Sequence, residues 1–276
     1  MKLKADLHIH SVNSDGSLDV EEIFYIASKN RLHYVSIADH NFFNSKQELL
    51  QLSKVYGVGV VFGVELSCFD YVRKRKVHIL CYNAVDEKVL APVCEKAHKI
   101  RVDSGNKKAS FVLNNFSVSK KLINKYRSKS GCFYQQNLTH ALMECGYCSS
   151  IYGSLYDSLS SSNLNIKTEN DYNVLDVLCL IKKAGGKAIM AHPFVYDSFE
   201  LLTELVAKNL IDGAEVWHPR NSVQEMAVLL SLIEKNNLIA TGGTDFHGLY
   251  SSVYLSRIGN FYTPETYLKQ LIFQID

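Results

Sequence analysis

Residues 5–40 read ADLHIHSVNSDGSLDVEEIFYIASKNRLHYVSIADH. The stretch opens on an apolar run, Ala5–His10, and closes on another, Tyr34–Asp39. Neither has the strict polar–apolar alternation of a strand with one wet face, so both read as strands covered on two sides, as in a parallel sheet. Between them Val20, Ile23, Phe24 and Ala27 fall on one helical face, with Asp19 placed as a cap. Strand, helix and strand in this order form one βα unit followed by the start of the next.

The same pattern continues outward. Val58–Leu66, Val77–Tyr82, Lys187–His192, Gly213–His218 and Leu238–Asp245 are further strand-like runs rich in Val, Ile and Ala. Val174–Ala184, with Leu175, Leu178 and Ile181 on one face and Gly185-Gly186 after it, and Ser222–Asn236 read as helices. This alternation predicts an α/β fold with a parallel sheet, and 276 residues is an ordinary length for an α/β barrel. The rhythm breaks between Lys96 and Asn173, where the sequence is rich in Lys, Arg, Ser and Asn and has no buried-strand pattern. Helical patterning over Lys107–Phe116 and Thr139–Cys145 predicts a mostly helical insertion, residues 96–173, bordering a barrel built from 1–95 and 174–276. Ser158–Asn165 reads as a polar loop inside it.

Composition narrows the class. With 47% hydrophobic and 21% charged residues and a net charge of +2, the chain resembles a soluble enzyme and not a nucleic-acid coat protein. No apolar segment follows the N-terminus as a signal peptide would, and no run is long enough to span a bilayer. Seven scattered cysteines, an odd number, suggest reduced thiols, so a cytoplasmic location is expected. Cys145-Gly146-Tyr147-Cys148 has redox-motif spacing, but it lies in the insertion and has no second pair for zinc; chance explains it better.

The chemistry-bearing residues cluster by position. His8 and His10, two apart on a strand, point to one face and can converge on one ion. Asp15 follows at once; Asp39-His40 closes the second strand, Glu65 the third, His192 the fifth, and Asp245 with His247 the last. His78 alone sits early in its run. The carboxyl ends of parallel barrel strands are where active sites form. Any one of these residues taken singly is best read as a solvated loop residue. Together they account for six of the ten histidines, and imidazole with carboxylate suits Mn²⁺, Fe or Zn²⁺.

These motifs resemble the polymerase and histidinol phosphatase (PHP) superfamily of phosphoesterases. The resemblance rests on Asp6–Ser11 with Ser14-Asp15-Gly16, Ile37-Ala38-Asp39-His40, Gly63–Ser67, Val77–Leu80, Ala191–Phe194 and Gly243–Gly248. It implies a distorted seven-stranded (β/α) barrel and two or three divalent ions. His8, His10, Glu65 and Asp245 would hold the first ion. Glu65 would bridge to a second, shared with His78 and His192, and Asp15, His40 and His247 would hold a third. Metal-bound hydroxide would then attack phosphorus, with no protein nucleophile.

The insertion resembles that of enzymes hydrolysing nucleoside 3′,5′-bisphosphates and short 5′-phosphorylated oligonucleotides. Gln135–Leu142 departs from their pattern by lacking an arginine, Asn221 stands where a histidine is common, and Asn41 replaces a frequent Asp after His40. Candidate substrate residues are Arg101, as a phosphate clamp, and His218 and Arg220 at a strand end, where His218 can protonate the leaving oxygen. The plainer alternatives, a loop histidine and solvated arginines, stay open. Arg73-Lys74-Arg75-Lys76 reads as a solvated turn, and Trp217 as core in preference to a base-stacking residue. The expected activity is hydrolysis of a small nucleotide-like phosphate ester, with no membrane and no stable protein partner. Histidinol phosphatase and a non-catalytic metal-binding module are the competing readings; metal-dependent hydrolysis of an aryl phosphate separates the last from the enzymes.

Overall fold

The computed structural model describes residues 2–160, 164, 172–252 and 256–272. The N-terminal part carries β1 (Lys4–Ile9), α1 (Val20–Lys29), β2 (Tyr34–Ile37), α2 (Lys46–Tyr56), β3 (Gly59–Val60), β4 (Gly63–Asp70) and β5 (Arg75–Tyr82). Four helices follow: α3 (Ala91–Asn115), α4 (Lys120–Lys125), α5 (Gln135–Glu144) and α6 (Ser154–Ser158). The rest is β6 (Tyr172–Asn173), α7 (Val174–Lys183), β7 (Lys187–Met190), α8 (Phe199–Ala207), β8 (Gly213–Trp217), α9 (Val223–Lys235), β9 (Ile239–Gly242), β10 (Thr263–Pro264) and α10 (Glu265–Ile272).

The opening unit forms as read. Helix α1 buries Val20, Ile23, Phe24 and Ala27, and Glu22 reaches back to accept from the Asp19 amide at 2.8 Å, satisfying one of the free N–H groups at the helix start. Helix α2 stops where Gly57 adopts φ +66, a left-handed conformation that costs glycine least.

Two sheets result, ordered β10-β1-β2-β3 and β6-β4-β5-β7-β8-β9. The pairs β1–β2, β2–β3, β7–β8 and β8–β9 are parallel, but β5 runs antiparallel to both β4 and β7. The all-parallel expectation fails there for a simple reason. Only residues 71–74 separate β4 from β5, and a parallel return needs a crossover of a dozen or more residues. The reversal also explains His78: it lies opposite Ser67 in the middle of β4, two residues from Glu65, although it comes early in its own strand. The run Val58–Leu66 is two strands, β3 in the first sheet and β4 in the second. A continuous apolar run does not mark the residue at which a chain changes sheets.

The sheets meet at one end through two isolated bridges, His40 with Glu65 and Ile9 with Phe246. An apolar cluster drawn from both fills the space between: Ala5 and Leu7 from β1, Leu80 and Tyr82 from β5, Ile189 from β7 and Ile239 from β9. Leu268 and Leu271 of α10 complete it, so that α10 packs across β1 and β9.

The helices α3 to α6 have a core of their own, including Val112, Ile123, Leu138, Ala141 and Leu142. Helix α3 starts at Ala91, five residues before the expected boundary, with Pro92 in its first turn where a missing N–H costs nothing. At the other boundary Tyr172 and Asn173 pair with Cys68 and Phe69, so the sheet resumes inside the expected insertion. Half of the polar segment read over Ser158–Asn165, residues 161–163 and 165, lies outside the described residues. None of the seven cysteines forms a disulfide, Cys145 and Cys148 included. Among the described residues no helix is long and apolar enough to cross a membrane.

Candidate metal centre

Strand β1 delivers His8 and His10 to one side, both fully buried, with their Nε2 atoms 3.1 Å apart. Two glycines allow the loops to close on them. A Cβ on Gly243 would lie 2.4 Å from the His8 Cβ, and one on Gly16 would lie 2.4 Å from the His10 carbonyl oxygen.

Glu65 stands at the middle of the cluster. Its Oε2 is 3.5 Å from His8 Nε2, 3.3 Å from His10 Nε2 and 2.9 Å from His40 Nδ1. Its Oε1 faces the other way, 2.7 Å from His78 Nδ1 and 3.1 Å from His192 Nε2. Asp245 Oδ1 lies 3.3 Å from His10 Nε2 and 3.6 Å from both His8 Nε2 and His247 Nδ1. Asp15 completes the third side, 3.3 Å from His247 Nε2, 3.5 Å from His10 Nδ1 and 3.7 Å from His40 Nε2.

All nine expected ligands therefore converge. Three sets have donor atoms mutually within 4.8 Å: His8, His10 and Glu65; His40, Glu65 and His78; and His10, Asp15, His40 and His247. This grouping differs from the expected one in detail. His10 and His40 each belong to two sets, while His192 and Asp245 belong to none: His192 joins through Glu65, and Asp245 through His8, His10 and His247.

These residues fit divalent cations. Glu65 Oε2 and His40 Nδ1 are buried and 2.9 Å apart, yet neither has an aligned hydrogen-bond partner. A buried polar atom left in that state costs about 1–3 kcal/mol, which a cation between them would offset. The electrostatics agree. Burial alone would raise Asp15, Glu65 and Asp245, yet the surrounding imidazoles hold all three well below the usual carboxylate range. Burial opposes charge on His8 and His10 too, but the carboxylates push both up, His10 to about 10. Burial, with Arg101 adding to it, lowers His40 to about 3 and His78 by less. The site draws positive charge, and protons compete with metal for the same nitrogens.

Three further buried carboxylates hold this arrangement. Asp6 accepts from Thr244 Oγ1 at 2.7 Å and from the amides of Gly259 and Thr244 at 2.9 and 3.0 Å, tying β1 to the Asp245 loop. Burial raises its pKa to about 6. Asp39 accepts from Ser11 Oγ at 2.6 Å, the Ser11 amide at 2.8 Å and Asn44 Nδ2 at 2.9 Å, and also from Ser14 Oγ. Glu215 faces His8 and the His192 backbone. From the sequence Asp39 is named only together with His40 at a strand end, and Asp6 and Glu215 are given no role in the site. The available signal was a carboxylate inside an apolar strand run, which needs a buried partner.

The candidate substrate residues separate. A cavity of about 220 Å³ over the centre is lined by Arg220, Tyr152 and Tyr250 as well as the ligands. Arg220 also donates to Ser252 Oγ at 2.6 Å. A wider cavity of about 680 Å³ shares Asp15, His40, His78, Gln136, Tyr156 and Tyr196 with the first and adds Lys76, Arg101 and Lys108. Arg101 donates to Ser67 Oγ at 2.6 Å and lies over the Tyr134 ring. His218 differs from the expectation: it is fully buried behind Asp245, 3.4 Å from Oδ2, and lines neither cavity. Lys76, read as part of a solvated turn, faces the wider cavity, while Arg73 pairs with Asp70 and Glu204. Trp217 packs against Tyr267. Gln136 of α5, which entered the sequence reading only as part of a segment, donates to Asp15 Oδ2 at 3.3 Å.

Comparison with known proteins agrees with this geometry. The PHP domain family matches residues 6–189. Over 251 residues the chain is 32% identical to phosphoribosyl 1,2-cyclic phosphate 1,2-diphosphodiesterase of Eggerthella lenta, covering 90% of this chain and 95% of that protein. It is 25% identical over 254 residues to the 5′-3′ exoribonuclease Rnm of Escherichia coli, covering 88% and 84%. A solved structure from Bifidobacterium adolescentis shares the fold, with a TM-score of 0.85 at 23% identity over 98% of this chain and 95% of that one.

Proposed function

The chain belongs to the PHP domain family, and on that premise we propose that it is a metal-dependent phosphoesterase for a small nucleotide-like substrate, a nucleoside bisphosphate or a short oligonucleotide. One observation carries the reading: the two oxygens of Glu65 face separate sets of imidazoles, below a cavity that widens into a cleft carrying Lys76, Arg101 and Lys108. In this reading Glu65 would bridge two ions, with His8, His10 and Asp245 holding one, His78 and His192 the other, and Asp15, His40 and His247 able to hold a third. The donor set suits Mn²⁺, Fe or Zn²⁺. Bound ions of this kind neutralise phosphoryl charge and bring the pKa of a water toward neutrality.

The chain's own residues do the rest. Arg220 and Arg101 reach for phosphate oxygens, to which a guanidinium can donate two parallel hydrogen bonds. Tyr152, Tyr156 and Tyr196 offer rings for a base or sugar. His218 acts through Asp245, fixing the carboxylate that its Nε2 faces. In this reading β1, β2, β4, β5, β7, β8 and β9 would count as the strands of a distorted seven-stranded barrel, which the two bridges between the sheets support, with α3 to α6 as the insertion beside the cleft. An amino-alcohol phosphate fits less well, because its ammonium group would meet the three cations of the wider cavity.

The test is a substrate panel with Mn²⁺ supplied: nucleoside 3′,5′-bisphosphates, mononucleotides, 5′-phosphorylated oligonucleotides, phosphoribosyl 1,2-cyclic phosphate and histidinol phosphate. Turnover of a nucleotide or ribosyl phosphate, abolished by chelator, is expected. Preference for histidinol phosphate, or metal binding with no turnover of any ester, would overturn the reading.

A further inference from the structure

Glu215 is a carboxylate inside strand β8, fully buried, in a run that is otherwise Gly, Ala, Val and Trp. Burying a carboxylate costs several kcal/mol unless partners repay it. Among the described residues Glu215 has two hydrogen-bond partners. Oε1 lies 3.0 Å from His8 Nδ1, and Oε2 accepts from the His192 amide at 2.9 Å.

Both contacts bear on the metal centre without touching its interior. A proton on His8 Nδ1 shared with Glu215 leaves Nε2 with its lone pair, and Nε2 is the atom facing His10 and Glu65. His192 has φ +27, a left-handed backbone that a residue with a side chain rarely adopts. That turn aims its Nε2 at Glu65 Oε1, and the hydrogen bond from its amide to Glu215 holds it there. The two ends of one carboxylate thus fix two ligands that face opposite oxygens of Glu65. Strand β8 is paired on both sides, with β7 and β9, so Glu215 itself has little freedom to shift.

We infer that Glu215 is a positioning residue that sets the His8 tautomer and the His192 turn together, and so couples the two metal positions on either side of Glu65. The inference rests on the metal reading given above. Glu215→Gln keeps the shape but cannot accept from both partners: its oxygen can accept from the His192 amide, and its NH₂ group then faces His8 Nδ1, which favours the tautomer that carries the proton on Nε2. Removing an outer carboxylate of this kind typically weakens metal binding by about 10–100-fold.

The experiment is a chelator-competition titration of the full-length protein with Mn²⁺ alone, run on the wild type, Glu215→Gln and Glu215→Asp, with metal-free thermal melts alongside. Glu215→Gln is expected to bind Mn²⁺ about 10–100-fold more weakly, with a metal-free melt close to wild type. Glu215→Asp, which keeps the charge on a shorter arm, is expected to recover part of that loss. A folded Glu215→Gln with wild-type Mn²⁺ affinity would overturn the inference. So would a variant whose metal-free melt falls while its affinity holds, because that is a purely structural role. If Glu215→Gln does not fold, the Asp variant decides: wild-type affinity in it overturns the inference, and weakened affinity supports it. A wild type that binds no Mn²⁺ would instead strike at the metal reading itself.

Discussion

The strand ends and the helical insertion handle charge in opposite ways. At the strand ends, imidazoles and carboxylates are packed within 3–4 Å of one another, mostly buried, and held by other buried carboxylates. The insertion has its own apolar core, and it meets the site through longer side chains: Arg101 on Ser67, Gln136 on Asp15, Lys108 on Gln135 and His140 on Tyr250. The first region is built for one geometry, because a metal tolerates little displacement of its ligands. The second is built from arms that can be exchanged without disturbing the ligands. Fixed chemistry with adjustable recognition follows from that division.

The contrast predicts that changes at the strand ends cost more than changes in the insertion. Glu65→Gln should be the most severe. Loss of the bridging charge should expel one ion and lower kcat/KM by roughly 10³-fold, beyond the ~10–100-fold typical of outer positions. Metal analysis and kinetics on the folded variant check this, and near-normal turnover would break the comparison at its strongest point. His218→Ala comes next. Its ring supports Asp245 and reaches no cavity, so turnover should fall about 10–100-fold with metal content unchanged.

In the insertion, Arg101→Ala should raise KM by about tenfold, the worth of one charge-assisted hydrogen bond, and leave kcat nearly untouched. The smallest effect belongs to Lys108. Burial, with Lys76 nearby, lowers its pKa to about 8, so its charge is present below that pH and lost as pH rises through it. KM for an anionic substrate should therefore climb a few-fold above about pH 8. Lys108→Arg, which stays charged, should flatten that rise in a pH series.

The same division decides what the sequence could reveal. Most of the candidate ligands lie at or just past strand ends, which are legible from apolar runs; Glu65 differs, because it was expected to close a strand and is instead the third residue of β4. His78 was harder to place because β5 reverses, and only the short turn after Asp70 hinted at that. The switch from β3 to β4 left no mark, since Val58–Leu66 is apolar throughout. Asp6 and Glu215 went unassigned because their partners, Thr244 and His192, are remote in the chain. Lys76 and Lys108 meet only after α3 packs against β4, the partner strand of β5, so no local spacing announces them. Burial of His218 behind Asp245 is likewise a tertiary fact.

The central claim is that Glu65 divides two metal positions. Anomalous diffraction from crystals soaked in Mn²⁺ tests it most directly. Two peaks about 3.5–4 Å apart, one against each oxygen of Glu65, are predicted. A single peak, or peaks that leave Glu65 on one side of both, would contradict it.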